Sequence, residues 1–362
     1  MPAKHRRSTF LLVALTMIVS LFAASCGLAE RAEQAARSGE DGGGNVLTVS
    51  VFGGDWGNAI QQHVIDRFEQ QTGVTVRVQI NTSTLALGQL RQDPGIYDVV
   101  LLDSGVSELA RAEDLVATLP EKQLTNLGRL TNRAALRDQG GLWAVTMGFW
   151  SLGIAYNTEK VAQPPSSWAD LWDPKFAGRV AVPTPATTGG LPLLLASAEM
   201  FGRGPSDVDA GFTRLEQLKV AAYADSSGTA SNLLQSGEAV VAAHYNSGTW
   251  PLADQGLPIG WVAPKEGALA ADSRWHLAAG SPKRDLAAQF IDFASGVAAQ
   301  QGLVDDLYLA PADESVQPTG KAAERMPWGA SGSLKDLRFP DWNVINAHRQ
   351  EFTDRWNKQV AK

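Results

Sequence analysis

The sequence predicts an α/β fold, and three observations carry that expectation. Short β-like runs alternate along most of the chain with segments whose apolar residues have helical spacing. One run, Tyr97-Asp98-Val99-Val100-Leu101-Leu102, is apolar on successive residues, as strands buried on both faces of a sheet are. Polar, glycine-rich segments recur just past the C-terminal ends of the strands, the edge at which open α/β sheets bind ligands.

The N-terminus precedes this pattern and differs from it. Lys4, His5, Arg6 and Arg7 are basic, and Phe10 to Phe22 is apolar apart from Thr16 and Ser20. That run is shorter than the roughly 20 residues a membrane-spanning helix needs. It ends in Ala23-Ala24-Ser25-Cys26-Gly27, small residues before the chain's one cysteine. The pattern is that of a secretory signal over residues 1–25, and its ending resembles a bacterial lipoprotein signal. The resemblance implies that Cys26 is acylated and holds the protein to the outer face of the cytoplasmic membrane, in an extracellular or periplasmic setting. Ala23 departs from it, because leucine is commonest three residues before such a cysteine; an ordinary signal with Cys26 incidental is the alternative. Residues 26–45, charged and rich in Ala and Gly, lack the large apolar side chains a core needs and read as a flexible tether.

The elements then follow in order. Val46 to Phe52 reads as a strand, followed by Gly53-Gly54-Asp55. From Trp56 to Gln71, Ile60, Val64, Ile65 and Phe68 have helical spacing, and Gly73 stops the helix. Val74 to Ile80 is a second strand, and the Tyr97–Leu102 run ends at Asp103-Ser104-Gly105. Arg179 to Pro183 leads into Thr184-Pro185-Ala186-Thr187-Thr188-Gly189-Gly190 and a helix from about Leu191. Val220 to Tyr223 leads through Asp225 to Thr229 into another helix. Ala239 to His244 is a strand ending at Tyr245-Asn246-Ser247-Gly248, and Asp272 to Trp275 are expected in a polar break after Gly267.

These strand exits supply the candidate site residues. Asp55 suits a helix N-cap or a place near a cationic group; Trp56 suits packing or a flat face for a ligand. Thr184, Thr187 and Thr188 precede a helix, where hydroxyls and free N–H groups suit a carboxylate or phosphate, although such residues also serve as caps. Tyr245, Asn246, Trp250 and Asp272 to Trp275 combine aromatic and polar groups at a sheet edge. Catalytic signatures are absent from the sequence: there is no H-x-x-x-H pair, no G-x-S-x-G and no Gly-Lys-Ser/Thr loop. No cofactor or metal is expected, and the chain reads as a non-enzyme. The 38 acidic against 31 basic side chains, without basic runs, argue against nucleic acid.

Several stretches together resemble the extracellular solute-binding proteins of bacterial ABC importers, of the spermidine/putrescine-binding type. They are Phe52-Gly53-Gly54-Asp55-Trp56-Gly57, Phe68 to Val74, Tyr97-Asp98-Val99-Val100, Gly153-Ile154-Ala155-Tyr156-Asn157, Pro165 to Gly178, Ser236-Gly237-Glu238, Pro264-Lys265-Glu266-Gly267, Asp341-Trp342 and Arg355-Trp356-Asn357. The resemblance implies a two-lobed periplasmic-binding-protein fold (type II) with a two-stranded hinge, crossed at Trp150 to Tyr156 and at Trp261 to Lys265. Residues 46–152 with 265–330 would form lobe 1, residues 153–264 lobe 2, and 331–362 a helical segment packing on lobe 1. It implies a monomeric receptor that captures a small charged solute and delivers it to an ABC permease. Positions matching the polyamine pattern are Trp56, Asp103, Ser104, Tyr245, Asp272 and Trp275. The pattern departs at the loop after Pro183, where polyamine binders carry acidic residues and this chain has Thr184, Thr187 and Thr188. A zwitterionic or anionic solute, such as an amino acid or phosphonate, therefore competes with a polyamine. Remoter alternatives are an exported enzyme and a sensor lipoprotein.

Overall fold

The computed structural model describes residues 45–325, 334, 335 and 337–362; Cys26 and the signal segment lie outside the described residues. β1 (Val46–Val51) leads into α1 (Gly54–Ile60), which continues through a π-helical turn at Gln61–Ile65 into α2 (Asp66–Thr72). The apolar stripe read from the sequence is the buried face: Ile60, Val64, Ile65 and Phe68 are at most 1% exposed. Phe68 meets Phe290 and Phe293 edge-on at 5.1 and 5.5 Å. Gly73 ends the helix at φ 70°, a left-handed conformation that glycine adopts without steric cost.

β2 (Thr75–Ile80), α3 (Ser83–Gln92), β3 (Val99–Asp103) and α4 (Ser104–Ala112) follow. β3 starts two residues later than the apolar run suggested. The Asp98 side chain accepts from the Thr48 amide at 2.8 Å and the Ser281 hydroxyl at 2.7 Å. Asp103 is both the last strand residue and the residue from which α4 starts. After β4 (Val116–Ala117) and β5 (Ala135–Asp138) comes β6 (Gly141–Asn157), 17 residues long and buried from Leu142 to Ala155.

The second half alternates again: β7 (Val180–Pro183), α5 (Gly190–Phe201), α6 (Val208–Glu216), β8 (Val220–Ala224), α7 (Ser227–Ser236), β9 (Val241–Tyr245) and α8 (Asn246–Asp254). β10 (Ile259–Val262) and β11 (Leu269–Ala278) return along β6, and α9 (Arg284–Ala294), α10 (Val297–Leu307), β12 (Ala310–Pro311) and α11 (Gly320–Arg325) follow. α12 (Trp342–Ala347) and α13 (Arg349–Gln359) end the chain. The main strand order is β2-β1-β3-β11-β6-β9-β7-β8. β1 and β3 are parallel, as are β8, β7 and β9, while β11 and β6 run antiparallel to their neighbours between these two groups.

β6 joins the groups. Along one edge it pairs with β11 and β10; along the other, with β5, β12 and β9. β10 approaches so closely that a Cβ at Gly153 would stand 2.2 Å from the Trp261 ring. Trp261 fixes this contact by donating from Nε1 to the His244 carbonyl at 2.9 Å.

One expectation is corrected here. Asp272 to Trp275 do not lie in a polar break but inside β11, whose ten residues are all buried. The polar side chains are accommodated through contacts with neighbours: Asp272 pairs with Arg274 at 2.6 Å, Ser273 donates to Asp103 at 2.9 Å, and His276 stacks on Trp143 at 5.6 Å. The C-terminal helical segment touches both strand groups. Trp342, Ile345, Phe352, Trp356 and Val360 share an apolar cluster with Leu191, Leu194, Leu195, Phe212 and Leu215 of α5 and α6. On the other side Phe339 meets Phe149 edge-on at 6.0 Å, and Asn346 Nδ2 donates to the Gly105 carbonyl of α4 at 2.9 Å. Trp356 is fully buried in this cluster; Trp356→Ala is expected to cost about 3–5 kcal/mol of stability, read as a lower urea midpoint with the slope unchanged.

Candidate functional site

The strand register brings four of the predicted residues to one place. β3 and β11 are antiparallel with Asp103 opposite Ser273, so the Ser273 hydroxyl donates to Asp103 Oδ1 at 2.9 Å. The other carboxylate oxygen accepts from Thr188 Oγ1 at 3.3 Å, across 85 residues of sequence. This bond links the turn before α5 to the start of α4, and therefore joins the two strand groups. β9 ends with Tyr245 opposite Leu152, which sets Tyr245 against Trp150, two residues along β6. The two rings meet edge-on at 4.6 Å, and Trp56 meets Trp150 edge-on at 6.2 Å. Trp150 Nε1 closes the ring of contacts by donating to Ser273 Oγ at 3.4 Å.

Trp150 thus stands at the centre of an aromatic group, and Ser273 beside the carboxylate; Trp150 was not among the candidates, and Ser273 fell within the Asp272–Trp275 stretch without being singled out. Trp150 lies in an uninterrupted apolar strand, where an indole reads as core. Ser273 gains its role only from being opposite Asp103.

Tyr245 Oη is buried without a partner at hydrogen-bond geometry, close to the Thr187 hydroxyl and the Gly189 amide. A Cβ at Gly189 would stand 3.0 Å from it. Burial pushes the Tyr245 phenol up to about 12, so it remains a neutral donor at physiological pH. Burial likewise pushes the Asp103 carboxyl up to about 6, against the hydroxyls of Ser273, Ser83 and Thr188 and helped by the nearby Asp272. Among the described residues no cation contributes to that shift. Four helices begin around these residues, α1 after Gly53, α4 after Asp103, α5 after Gly189 and α8 after Tyr245, and none has a side-chain cap. Their free N–H groups give the region a positive potential beside one carboxylate.

The remaining candidates are placed as follows. Asp55 is exposed in the first turn of α1, next to Trp56, and Gly53 takes the N-cap position instead. Ser104 is fully buried at the start of α4, its hydroxyl unpartnered. Thr184 shapes the turn: its carbonyl accepts from both the amide and the hydroxyl of Thr187, each at 3.0 Å. Asn246 is fully engaged in structure, accepting from the Ser151 amide at 2.9 Å and donating to the Tyr308 carbonyl at 2.8 Å. Asp272 accepts from Thr146 at 2.9 Å and pairs with Arg274, which Glu108 neutralises further at 2.7 Å. Trp275 is fully buried edge-on to Phe290 at 5.5 Å, in the core beneath α9. Trp250 packs under the Arg325 guanidinium at 5.2 Å. Ser226 caps α7 through the Thr229 amide at 3.1 Å.

The group that remains is a carboxylate with no counter-cation, an aromatic trio and a hydroxyl-rich helix start. A carboxylate and aromatic faces suit an ammonium group; uncapped N–H groups, Thr187 and Tyr245 suit an acid group.

A sequence profile of the bacterial extracellular solute-binding proteins matches residues 95–348. The gamma-aminobutyric acid-binding protein of Pseudomonas aeruginosa is 27% identical over 329 residues, covering 87% of this chain and 91% of its own. The spermidine/putrescine-binding periplasmic protein of Escherichia coli is 22% identical over 299 residues, covering 80% and 83%. The solved structure of an ABC transporter substrate-binding protein from Bradyrhizobium japonicum superposes with a TM-score of 0.73 at 18% identity, over 87% of this chain and 99% of that one.

Two expected outcomes follow from the site's geometry. Trp150→Ala should weaken solute binding by more than about tenfold, roughly 1.4 kcal/mol, in calorimetric titration. The raised Asp103 carboxyl sets a pH dependence. It favours the ligand-free fold below the unfolded value near 4, and that contribution is lost as pH rises through about 6. An ammonium ligand needs the ionised form, so its binding should release a proton at pH 6 and none at pH 8. Titration in buffers of different ionisation enthalpy measures this directly.

Proposed function

The chain belongs to the bacterial extracellular solute-binding proteins, with their two-lobed type II fold, and on that premise we propose that it receives a small amine-bearing solute whose other end is acidic. The family binds small solutes and hands them to ABC permeases. The observation that carries the ligand class is Asp103: it is half-buried, and among the described residues no cation pairs with it, whereas Asp272 is matched by Arg274. One ammonium would replace the Thr188 hydroxyl on Asp103, its methylenes lying against Trp56, Trp150 and Tyr245. The acid end would meet Thr187, Tyr245 Oη and the start of α5. A polyamine reading keeps one point of support, since the exposed Asp55 beside Trp56 offers a second carboxylate at the rim.

The proposed receptor is monomeric, performs no catalysis and has lobe boundaries at residues 152/153 and 264/265. Between the lobes, β6 and the β10–β11 return form the hinge, so that closure buries the solute. Acylated Cys26 and the 26–45 tether would keep it near its permease, raising its effective concentration there. The pattern of residues 4–26 supports that placement.

Calorimetry with 4-aminobutanoate, 2-aminoethylphosphonate, putrescine and spermidine tests the ligand class. The first two are expected to bind more tightly than the diamine and triamine; the opposite order would return the cleft to polyamines. Asp103→Asn should reduce binding of the preferred solute by at least about tenfold. For the anchor, Cys26→Ser should move the protein from the membrane fraction to the soluble exported fraction and abolish incorporation of labelled fatty acid.

A further inference from the structure

The two C-terminal helices have a second contact, outside the group of residues assigned to the solute. α13 is fastened to the β7–β8 side of the sheet. Its apolar face packs on α5 and α6, Arg355 pairs with Asp209 at 2.5 Å, and Gln359 and Lys362 both reach Glu216 at 3.0 Å. Tyr223 of β8 donates to the Val360 carbonyl at 2.8 Å. α12 and α13 therefore move with the wall of the cleft that carries Thr187 and Thr188.

Their other side meets the opposite wall at the first turn of α4. Asn346 Nδ2 donates to the Gly105 carbonyl at 2.9 Å. The backbone there is so close that a Cβ at Gly105 would lie 2.6 Å from the Trp342 ring and 3.1 Å from Arg349 Nη2. Arg349 in turn holds Asn346, donating from Nε and Nη2 to its Oδ1 at 3.0 and 2.7 Å. Gly105 is two residues beyond Asp103, so this contact lies on the same side of the hinge as the Thr188–Asp103 bond.

We propose that Trp342, Asn346 and Arg349 form a latch that clasps α4 when the walls meet, making Asn346 a positioning residue that sets solute affinity through closure. The proposal rests on the two-lobed receptor reading. In a protein that binds by closing, the apparent affinity is the intrinsic affinity scaled by the closed fraction, so a contact made only on closure tightens binding without touching the solute. Arg349 opposes the contact: burial lowers its pKa, and among the described residues no carboxylate pairs with it. Removing a guanidinium from water without a counter-ion costs free energy, which keeps the latch reversible.

Asn346→Asp tests this. Its carboxylate retains Arg349 but cannot donate to the Gly105 carbonyl, which it repels. In small-angle scattering without solute, the variant is expected to have a larger radius of gyration than the wild type. Its affinity for 4-aminobutanoate should fall by about tenfold, with the thermal midpoint unchanged or higher. Arg137→Ala, which removes an exposed ion pair with Glu121 at 3.1 Å outside the latch, should keep wild-type affinity. If Asn346→Asp does not fold, Asn346→Ala removes the same donor. Identical radii of gyration without solute for wild type and variant overturn the latch, as does an equal loss of affinity in Arg137→Ala. Because the scattering comparison needs no solute, it decides the latch even if 4-aminobutanoate does not bind, an outcome that counts against the ligand class alone.

Discussion

A strand that hydrogen-bonds along both edges for most of 17 residues leaves its neighbours little freedom. β6 is that strand: β11 and β10 lie on one side of it, and β5, β12 and β9 on the other. It is buried almost throughout, so each of its amides and carbonyls needs a partner, and the flanking strands supply them. The parallel groups β1–β3 and β8–β7–β9 are connected through it and through β11. Any relative motion of the groups must bend this pair, which is the mechanical basis of a two-lobed receptor.

The grouping of the candidate residues is a consequence of the same register. Leu152 opposite Tyr245 sets the aromatic contact with Trp150, and Ser273 opposite Asp103 sets the hydroxyl on the carboxylate. Helices that start just past those strands leave their first N–H groups uncapped at the same edge. A half-buried carboxylate, a neutral phenol and several uncapped helix starts therefore stand within one small region.

Parts of this were legible and parts were not, for reasons visible in particular residues. The α1–α2 stripe of Ile60, Val64, Ile65 and Phe68 is a local periodicity, so it could be read directly. The strands β7, β8 and β9 carry short apolar runs followed by turn residues and were read for the same reason. β11 was not, because Asp272, Ser273, Arg274 and His276 make its middle look like a loop. Those side chains are tolerated in a buried strand only through partners far away in sequence, Thr146 at 126 residues and Glu108 at 166 among them.

The sequence by itself determined the α/β alternation, the polar turns at strand ends and the presence there of Asp103, Thr187, Thr188 and Tyr245, since each depends on neighbours a few residues away. Only the tertiary structure decided which acid stays without a cation. Asp103 and Asp272 are equivalent as letters, yet among the described residues register places Arg274 and Thr146 on Asp272 and hydroxyls on Asp103. Whether a carboxylate meets a cation is set by long-range pairing, which local sequence does not encode.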